Sequence, residues 1–426
     1  MLMNVLDIFF TKRGKQIKMM SLYLLASFVP MGLNLVTMPL FSLYMEKFDF
    51  AVVSYYNSFN SLLFPFILFY FNQYYMREFF YCDEEGKEKL YANMYRSCFF
   101  IPFIFAVVST AGIYVYMSLF NKDSAIPFFP YGILTFFSIA FSGLYYIEQV
   151  ELKNRRNAKG FLFLILFYSI LAVALSLFFV IFGHLGALGK MAGTFISSIV
   201  MFVFLLIKNG VRIRKYKLDW QMLKQGIVFC TPLVFAAMLT FFSNGVDKVI
   251  LEKVVHVDEL GVYAIGISIG SVLSVFSNSI GNTFSPDVFE SLASNNYKRM
   301  LKFVFVQIGI MVIVVSLFVL SARLLIIVFT ANRYVEATTI ARITSFSALT
   351  AIIYSIVSNV VFSFKKTKLI LYTKIIGSLV CFGMYVFLIN RFQTIGAAIG
   401  YVCGNLVFSA IALLLLAISL KKGRKI

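Results

Sequence analysis

The sequence predicts an all-α polytopic membrane protein of about twelve transmembrane helices, arranged as two six-helix lobes around a central cavity. Three observations carry this. Hydrophobic residues make up 60% of the 426 and charged residues only 13%, with a mean hydropathy of +0.87, whereas a soluble domain carries about 25% charged residues and could not bury so much apolar surface. Apolar stretches recur along the whole chain, each near the ~20 residues that cross hydrocarbon as a helix. The two halves of the chain also echo one another.

The spans read as 20–42, 50–72, 97–120, 128–150, 160–183, 186–207, 225–246, 260–284, 303–328, 338–362, 369–390 and 395–418. With the N-terminus inside, the segments on the cytoplasmic side hold 28 of the 38 Lys and Arg, and the outer side only seven, counting Arg323 near the outer end of span 303–328. That bias is the positive-inside rule, so the net charge of +19 sets orientation and does not imply a nucleic-acid partner. Both termini are expected in the cytoplasm. The start, with Asp7, Lys12, Arg13, Lys15 and Lys18, lacks the cleavage site of a signal peptide, so the first span is expected to be retained.

Span 1 carries Pro30, Pro39 and Asn34. Proline removes a backbone donor and clashes with the preceding turn, which makes Pro30 a candidate hinge. Span 2 ends in NQYYMREFF, with Arg77 at the inner membrane face, and the mixed-charge segment YCDEEGKEKLY reads as an amphipathic or solvated connector. Span 4 opens at Pro127 and Pro130 and closes on Glu148, Gln149 and Glu151. Span 6 opens with LGALGKMAG and contains Lys190. The segment 208–224, KNGVRIRKYKLDWQMLK, is the most basic connector. It reads as a topology anchor or anionic-lipid contact rather than a partner site, and as the cytoplasmic linker between an N-terminal lobe (1–207) and a C-terminal lobe (225–426).

Span 7 contains Pro232, a second candidate hinge, then Asn244, Asp247 and Lys248 towards its outer end. Ionisable groups within membrane spans are costly and usually face a bundle interior or aqueous cavity. On the span limits above, the Asp247–Lys248 pair falls on the outer rim as a candidate gate. Spans 10 and 11 carry Arg342 and Lys374. Span 12 opens with IGAAIGYVCG, where Gly400 and Gly404 answer Gly189 and Gly193 of span 6. Small residues four apart let helices approach closely, so packing is the first reading of these glycines. Six spans return the chain to the side where it began, which relates the halves by an axis along the membrane normal.

Several chemistries are excluded. There is no GxxxxGK[ST] loop, so no nucleotide hydrolysis. His184 and His256 lack metal spacing. Cys82, Cys98, Cys230, Cys381 and Cys403 lack CxxC spacing and read as inert thiols. The short outer loops leave no room for an extracytoplasmic catalytic domain, which disfavours a membrane polymerase or glycosyltransferase.

The stretch TPLVFAAMLTFFSNGVDKVILEKVVHVDELGVYAIGISI, with Pro232, Asp247 followed by Lys248, and Gly261 with Tyr263, resembles the Wzx-type O-antigen and polysaccharide flippases. These belong to the multidrug/oligosaccharidyl-lipid/polysaccharide exporter superfamily. Lys248 stands where that family commonly has Arg. The resemblance implies a MATE-like fold, no enzyme activity, no metal or other cofactor, and residence in a bacterial cytoplasmic membrane. It implies translocation of an undecaprenyl-pyrophosphate-linked oligosaccharide to the outer leaflet by alternating access, as a monomer contacting membrane lipids and other polysaccharide-assembly proteins.

Arg342, Lys374, Lys190, Arg77, Asn34 and Asn244 are then the candidates to meet the polar headgroup. Arg342 is the sharpest, since a guanidinium fork matches phosphate oxygens; its alternative is an ion pair with Glu336. For Lys374 and Lys190 the alternative is snorkelling to the interface. Coupling to H+, to Na+ or to the membrane potential is compatible with these residues, Asp247 and Glu148 being the titrating candidates. A drug or cation antiporter of the same superfamily and a lipid II flippase are the rival readings.

Overall fold

The computed structural model describes residues 22–423 apart from 24, 27, 295 and 364–366. The basic segment ahead of span 1 and the last three residues lie outside these. Among the described residues the structure is helical throughout, without strands. Its helices are α1 (Phe28–Tyr44), α2 (Lys47–Leu68), α3 (Phe71–Glu78), α4 (Glu84–Phe120), α5 (Tyr131–Phe141), α6 (Gly143–Asn154), α7 (Ala158–Ile181), α8 (Gly186–Arg214), α9 (Trp220–Met238), α10 (Phe241–Asn244), α11 (Val246–Leu251), α12 (Val257–Gly270), α13 (Leu273–Ala293), α14 (Tyr297–Phe329), α15 (Thr338–Ser345), α16 (Ser347–Ser363) and α17 (Thr367–Gly423).

Among the described residues nine helical stretches are long and apolar enough to cross a membrane, ten when the bent α2–α3 pair is taken as one. One of them runs 49 residues, from Leu371 to Ser419, and breaks at Gln393, where φ is 50°; it serves as two passes. With the shorter apolar helix α1, these account for the twelve spans read from the sequence. Within the amphipathic or solvated connector expected after span 2, α4 already begins at Glu84. Asp83 caps it by accepting from the Gly86 N–H, and Glu84 and Glu85 complement its N-terminal dipole.

The spans break in places that proline does not mark. Helix continues through Pro232 and onward from Pro30, and the seventh span is interrupted only after Met238, where it divides into α9, α10 and α11. The physical reason lies in the partners of the freed carbonyls. Ser378 Oγ donates to the carbonyl of Leu239 at 3.0 Å, and Tyr385 OH to that of Ser243 at 3.0 Å. The second span bends by 53° between α2 and α3, with Phe69 and Tyr70 at φ 52° and 51°, and Cys230 Sγ donates to the Tyr70 carbonyl at 3.3 Å. A helix in lipid breaks where another helix can satisfy its backbone. The eighth span is likewise interrupted between α12 and α13, the fourth at Ser142 and the tenth at Phe346. Interruptions therefore recur six spans apart, in the second and eighth and in the fourth and tenth.

Contacts group the chain into two compact units. The first comprises the chain up to Tyr44, Leu63–Lys122 and Pro127–Phe235. Its core is unusually aromatic, with Phe71, Tyr75, Tyr91, Tyr95, Tyr145 and Phe202 all buried. Helices α7 and α8 lie in close contact because a Cβ on Gly193 would collide with the Ser176 backbone, the packing role expected for this glycine. The second unit comprises Met45–Leu62, Asp123–Ile126 and the chain from Ala236. There α13 packs on α14 and α16, and α16 on α17. Gly400 is pressed against the Tyr385 ring, whereas Gly404 has ordinary spacing.

The start of α2 is seated on α12 within this second unit: Tyr334 OH donates to the Met45 carbonyl at 2.6 Å, and a Cβ on Gly261 would collide with the Lys47 carbonyl. That obstacle is backbone and has no rotamer to yield. Gly261→Ala is therefore expected to destabilise by about 1–3 kcal/mol, read as a lower Tm of the purified protein. Gly309→Ala, whose Cβ meets nothing within 4 Å, should leave Tm unchanged or raise it slightly.

Candidate functional site

Arg342 lies on α15, whose Thr338, Ala341, Thr344 and Ser345 are buried while Thr339, Arg342 and Phe346 form an exposed stripe at i, i+3 and i+7. The alternative pairing with Glu336 is not made, because Glu336 binds Lys47 of α2. No carboxylate pairs with Arg342 among the described residues. Lys374 on α17 also lacks an ion pair there; its ammonium lies 4.7 Å from the Phe408 ring centroid and 5.3 Å from that of Tyr354. Phe408 is held in place by Gly377, where a Cβ would collide with the ring. Lys190 on α8 sits 4.5 Å from the centroid of Phe41 on α1. Aromatic faces attract these cations without cancelling their charge.

The carboxylates Asp247 and Glu148 are buried and bound by side chains of opposite charge. Asp247, at the broken end of the seventh span, is 0% exposed and Lys248 only 8%, so the pair is buried within the second unit. Lys248 Nζ lies 3.1 Å from Asp247 Oδ2, and Tyr263 OH donates to the same oxygen at 2.6 Å. Helix α11, which carries the pair, packs against α17. Tyr263, itself buried, forms part of the lining of a cavity of about 320 Å³ that Lys47, Asp258, Glu259 and Glu336 also line.

Glu148 on α6 is buried and accepts from Tyr91 OH at 2.6 Å, Lys208 Nζ at 2.8 Å and Asn209 Nδ2 at 3.2 Å. One turn on, Glu151 accepts from Tyr75 OH, Arg155 Nε and Arg212. Arg155 and Arg212 also converge on Glu88 of α4. Residues from α3, α4, α6 and α8 thus form a charge-balanced knot in the first unit. Of the remaining expected contacts, Arg77 is exposed, 3.6 Å from Glu78 and stacked over Phe229 at 4.8 Å. Asn34 and Asn244 are exposed. Of the predicted residues, Lys190, Arg77, Asn34 and Glu148 lie in the first unit, and Arg342, Lys374, Asn244, Asp247 and Lys248 in the second.

Sequence reasoning missed Tyr263 as the hydroxyl that holds Asp247, although the Gly261–Tyr263 pattern had drawn attention to it. It also missed the Glu88–Glu151–Arg155–Arg212 knot. The i, i+3 and i+4 spacings of Glu148, Glu151 and Arg155 were the available signal, since they place these groups along one helix face.

Among known proteins, a model of the MatE family matches residues 232–386. The chain is similar in structure to the lipid II flippase MurJ in an inward closed conformation, with 18% identity and a TM-score of 0.68 over 93% of this chain and 87% of that one. It is similar to an inward-facing multidrug resistance MATE transporter of the multidrug/oligosaccharidyl-lipid/polysaccharide superfamily, with 14% identity and a TM-score of 0.71 over 92% and 96%. A third similar structure is the Vibrio cholerae MATE transporter VcmN, with 15% identity and a TM-score of 0.58 over 95% and 96%. No curated protein matches the sequence. At these identities the likeness shows the fold, which is that of MATE and MurJ transporters.

Proposed function

We propose that this chain is a transporter of the multidrug/oligosaccharidyl-lipid/polysaccharide exporter superfamily, and within it a flippase for undecaprenyl-pyrophosphate-linked oligosaccharide. It would work by alternating access in a bacterial cytoplasmic membrane, with both termini in the cytoplasm and no enzymatic step. The observation that carries the reading is an asymmetry of charge on this fold. Arg342 and Lys374 have no carboxylate partner among the described residues, while Asp247 and Glu148 are consumed by Lys248, Tyr263, Lys208 and Tyr91. A pyrophosphate headgroup needs cations and donors to replace its water, since each polar group left unpaired in hydrocarbon costs several kcal/mol. A carrier of lipophilic cations needs the reverse, open carboxylates, which disfavours the drug-antiporter reading.

Outward movement of a negative headgroup across an inside-negative potential is favourable by about 2.3 kcal/mol per charge per 100 mV. The membrane potential is therefore one source of driving force, with coupling to H+ or Na+ the other. Deleting the gene in its host is expected to abolish surface polysaccharide and to accumulate the lipid-linked unit on the inner leaflet. Normal surface glycan with raised drug sensitivity would sink the proposal. The likeness to MurJ favours lipid II as the second substrate reading, and rescue of a strain depleted of its lipid II flippase would select it.

A further inference from the structure

The segment that joins α8 to α9 is pinned to α4 from below and bare on its other side. Arg96 of α4 donates to the Ile213 carbonyl at 2.9 Å. Asn93 of α4 accepts from the Asp219 N–H at 2.8 Å, and Lys89 pairs with the Asp219 carboxylate at 2.9 Å. That carboxylate also caps α9, accepting from the N–H groups of Gln221 and Met222 at 3.0 and 3.1 Å. The Lys89 ammonium, followed by the Met222 N–H, holds Asp219 below the ordinary carboxylate range, so it stays ionised and committed to these contacts.

Asp219 is the only acidic residue between 208 and 224. Of the six basic residues there, Lys208 and Arg212 are spent on Glu148, Glu88 and Glu151. Arg214, Lys215, Lys217 and Lys224 are exposed and make no ion pair with any described residue. Beside them stands Trp220, the single tryptophan of the chain, 73% exposed in the first turn of α9. Val211 and Val228 are exposed on either side of it in sequence. An indole at the start of a spanning helix, with apolar neighbours and unpaired cations around it, has the composition of a membrane-interface anchor.

From this geometry we infer that Arg214, Lys215, Lys217 and Trp220 form a built binding site for anionic phospholipid headgroups. The positive-inside bias alone does not require it, because orientation is satisfied by paired and unpaired cations alike. Here the neighbouring cations are neutralised and these are left open on a backbone that α4 fixes. Fixing the backbone removes much of the ordering cost that a flexible basic tail meets on binding. The site stands apart from the transport reading and does not depend on it.

The lone tryptophan supplies the test. The full-length protein is placed in vesicles of phosphatidylethanolamine, phosphatidylglycerol and phosphatidylcholine at matched proportions, with bromine on the acyl chains of the phosphatidylglycerol in one set and of the phosphatidylcholine in the other. Trp220 emission is expected to be quenched at least about twofold more by the anionic lipid, as a site enriched about fivefold per basic residue requires. The triple variant R214Q/K215Q/K217Q should bring the two sets to equality. Raising NaCl to 1 M, where the screening length falls to about 3 Å, should do the same for the wild-type protein even if the variant fails to insert. Equal quenching by both lipids in the wild type would overturn the inference, as would a preference that persists in the variant or in salt.

Discussion

Arg342→Ala is expected to lower export of the lipid-linked unit by about 100-fold while leaving the amount of protein in the membrane unchanged. The magnitude follows from losing a charge-assisted contact worth about 3 kcal/mol, the upper end for a hydrogen bond to an ionised group. The unchanged abundance follows from the structure, since the side chain is exposed and takes no part in an ion pair among the described residues. Arg342→Lys keeps the charge and loses the planar fork, so it should fall between the two. Surface polysaccharide in a complemented deletion strain gives the export, and an epitope tag gives the abundance. Wild-type export by the alanine variant would remove Arg342 from the substrate path.

For Asp247→Ala the expected outcome is loss of the protein itself. Removing the carboxylate strands the Lys248 ammonium in a site only 8% exposed and leaves the Tyr263 hydroxyl without its acceptor. Breaking a buried pair from one side costs about 3–5 kcal/mol, a large fraction of a domain's total stability. Little protein should reach the membrane. Removing both charges is much less costly, because a buried pair replaced by apolar side chains is often neutral. Asp247→Ala combined with Lys248→Met should thus restore abundance. Export by that double variant then reports on coupling: activity retained means the pair is a structural brace, and activity lost with normal abundance means that it takes part in transport. Wild-type abundance for the single variant would show that the ion pair does not brace the seventh span.

The Asp247 case shows where the sequence stops being legible. Adjacent charges at the end of an apolar stretch look like a span ending at water, and hydropathy carries no sign that both are buried in the fold. The interruption just before them is met by Ser378 and Tyr385, more than 130 residues away, which offer hydroxyls to carbonyls at the break. The same holds at Phe69 and Tyr70, which adopt a left-handed backbone that neither residue type advertises, and where the thiol of Cys230 waits. Pro232, which did advertise itself, lies within unbroken helix.

Ion pairing was equally hidden. Glu336 is six residues from Arg342 in sequence, yet it binds Lys47, contributed by the other end of the chain. Glu148 was a titrating candidate with no partner legible in the sequence, and α4 and α8 bring it three.

By itself the sequence determined the all-helical membrane class, the twelve spans, the orientation bias and the close helix contacts at Gly189 and Gly193. Each of these depends on local quantities: apolar length set against bilayer thickness, the count of cations at span ends, and the small size of glycine. Only the tertiary structure decided which spans break and which charges remain open to a ligand. A carbonyl freed by a break, or a charge buried in a span, is tolerable only if a group from elsewhere in the chain satisfies it. Which group that is depends on how the helices pack, a non-local fact that no window of sequence contains.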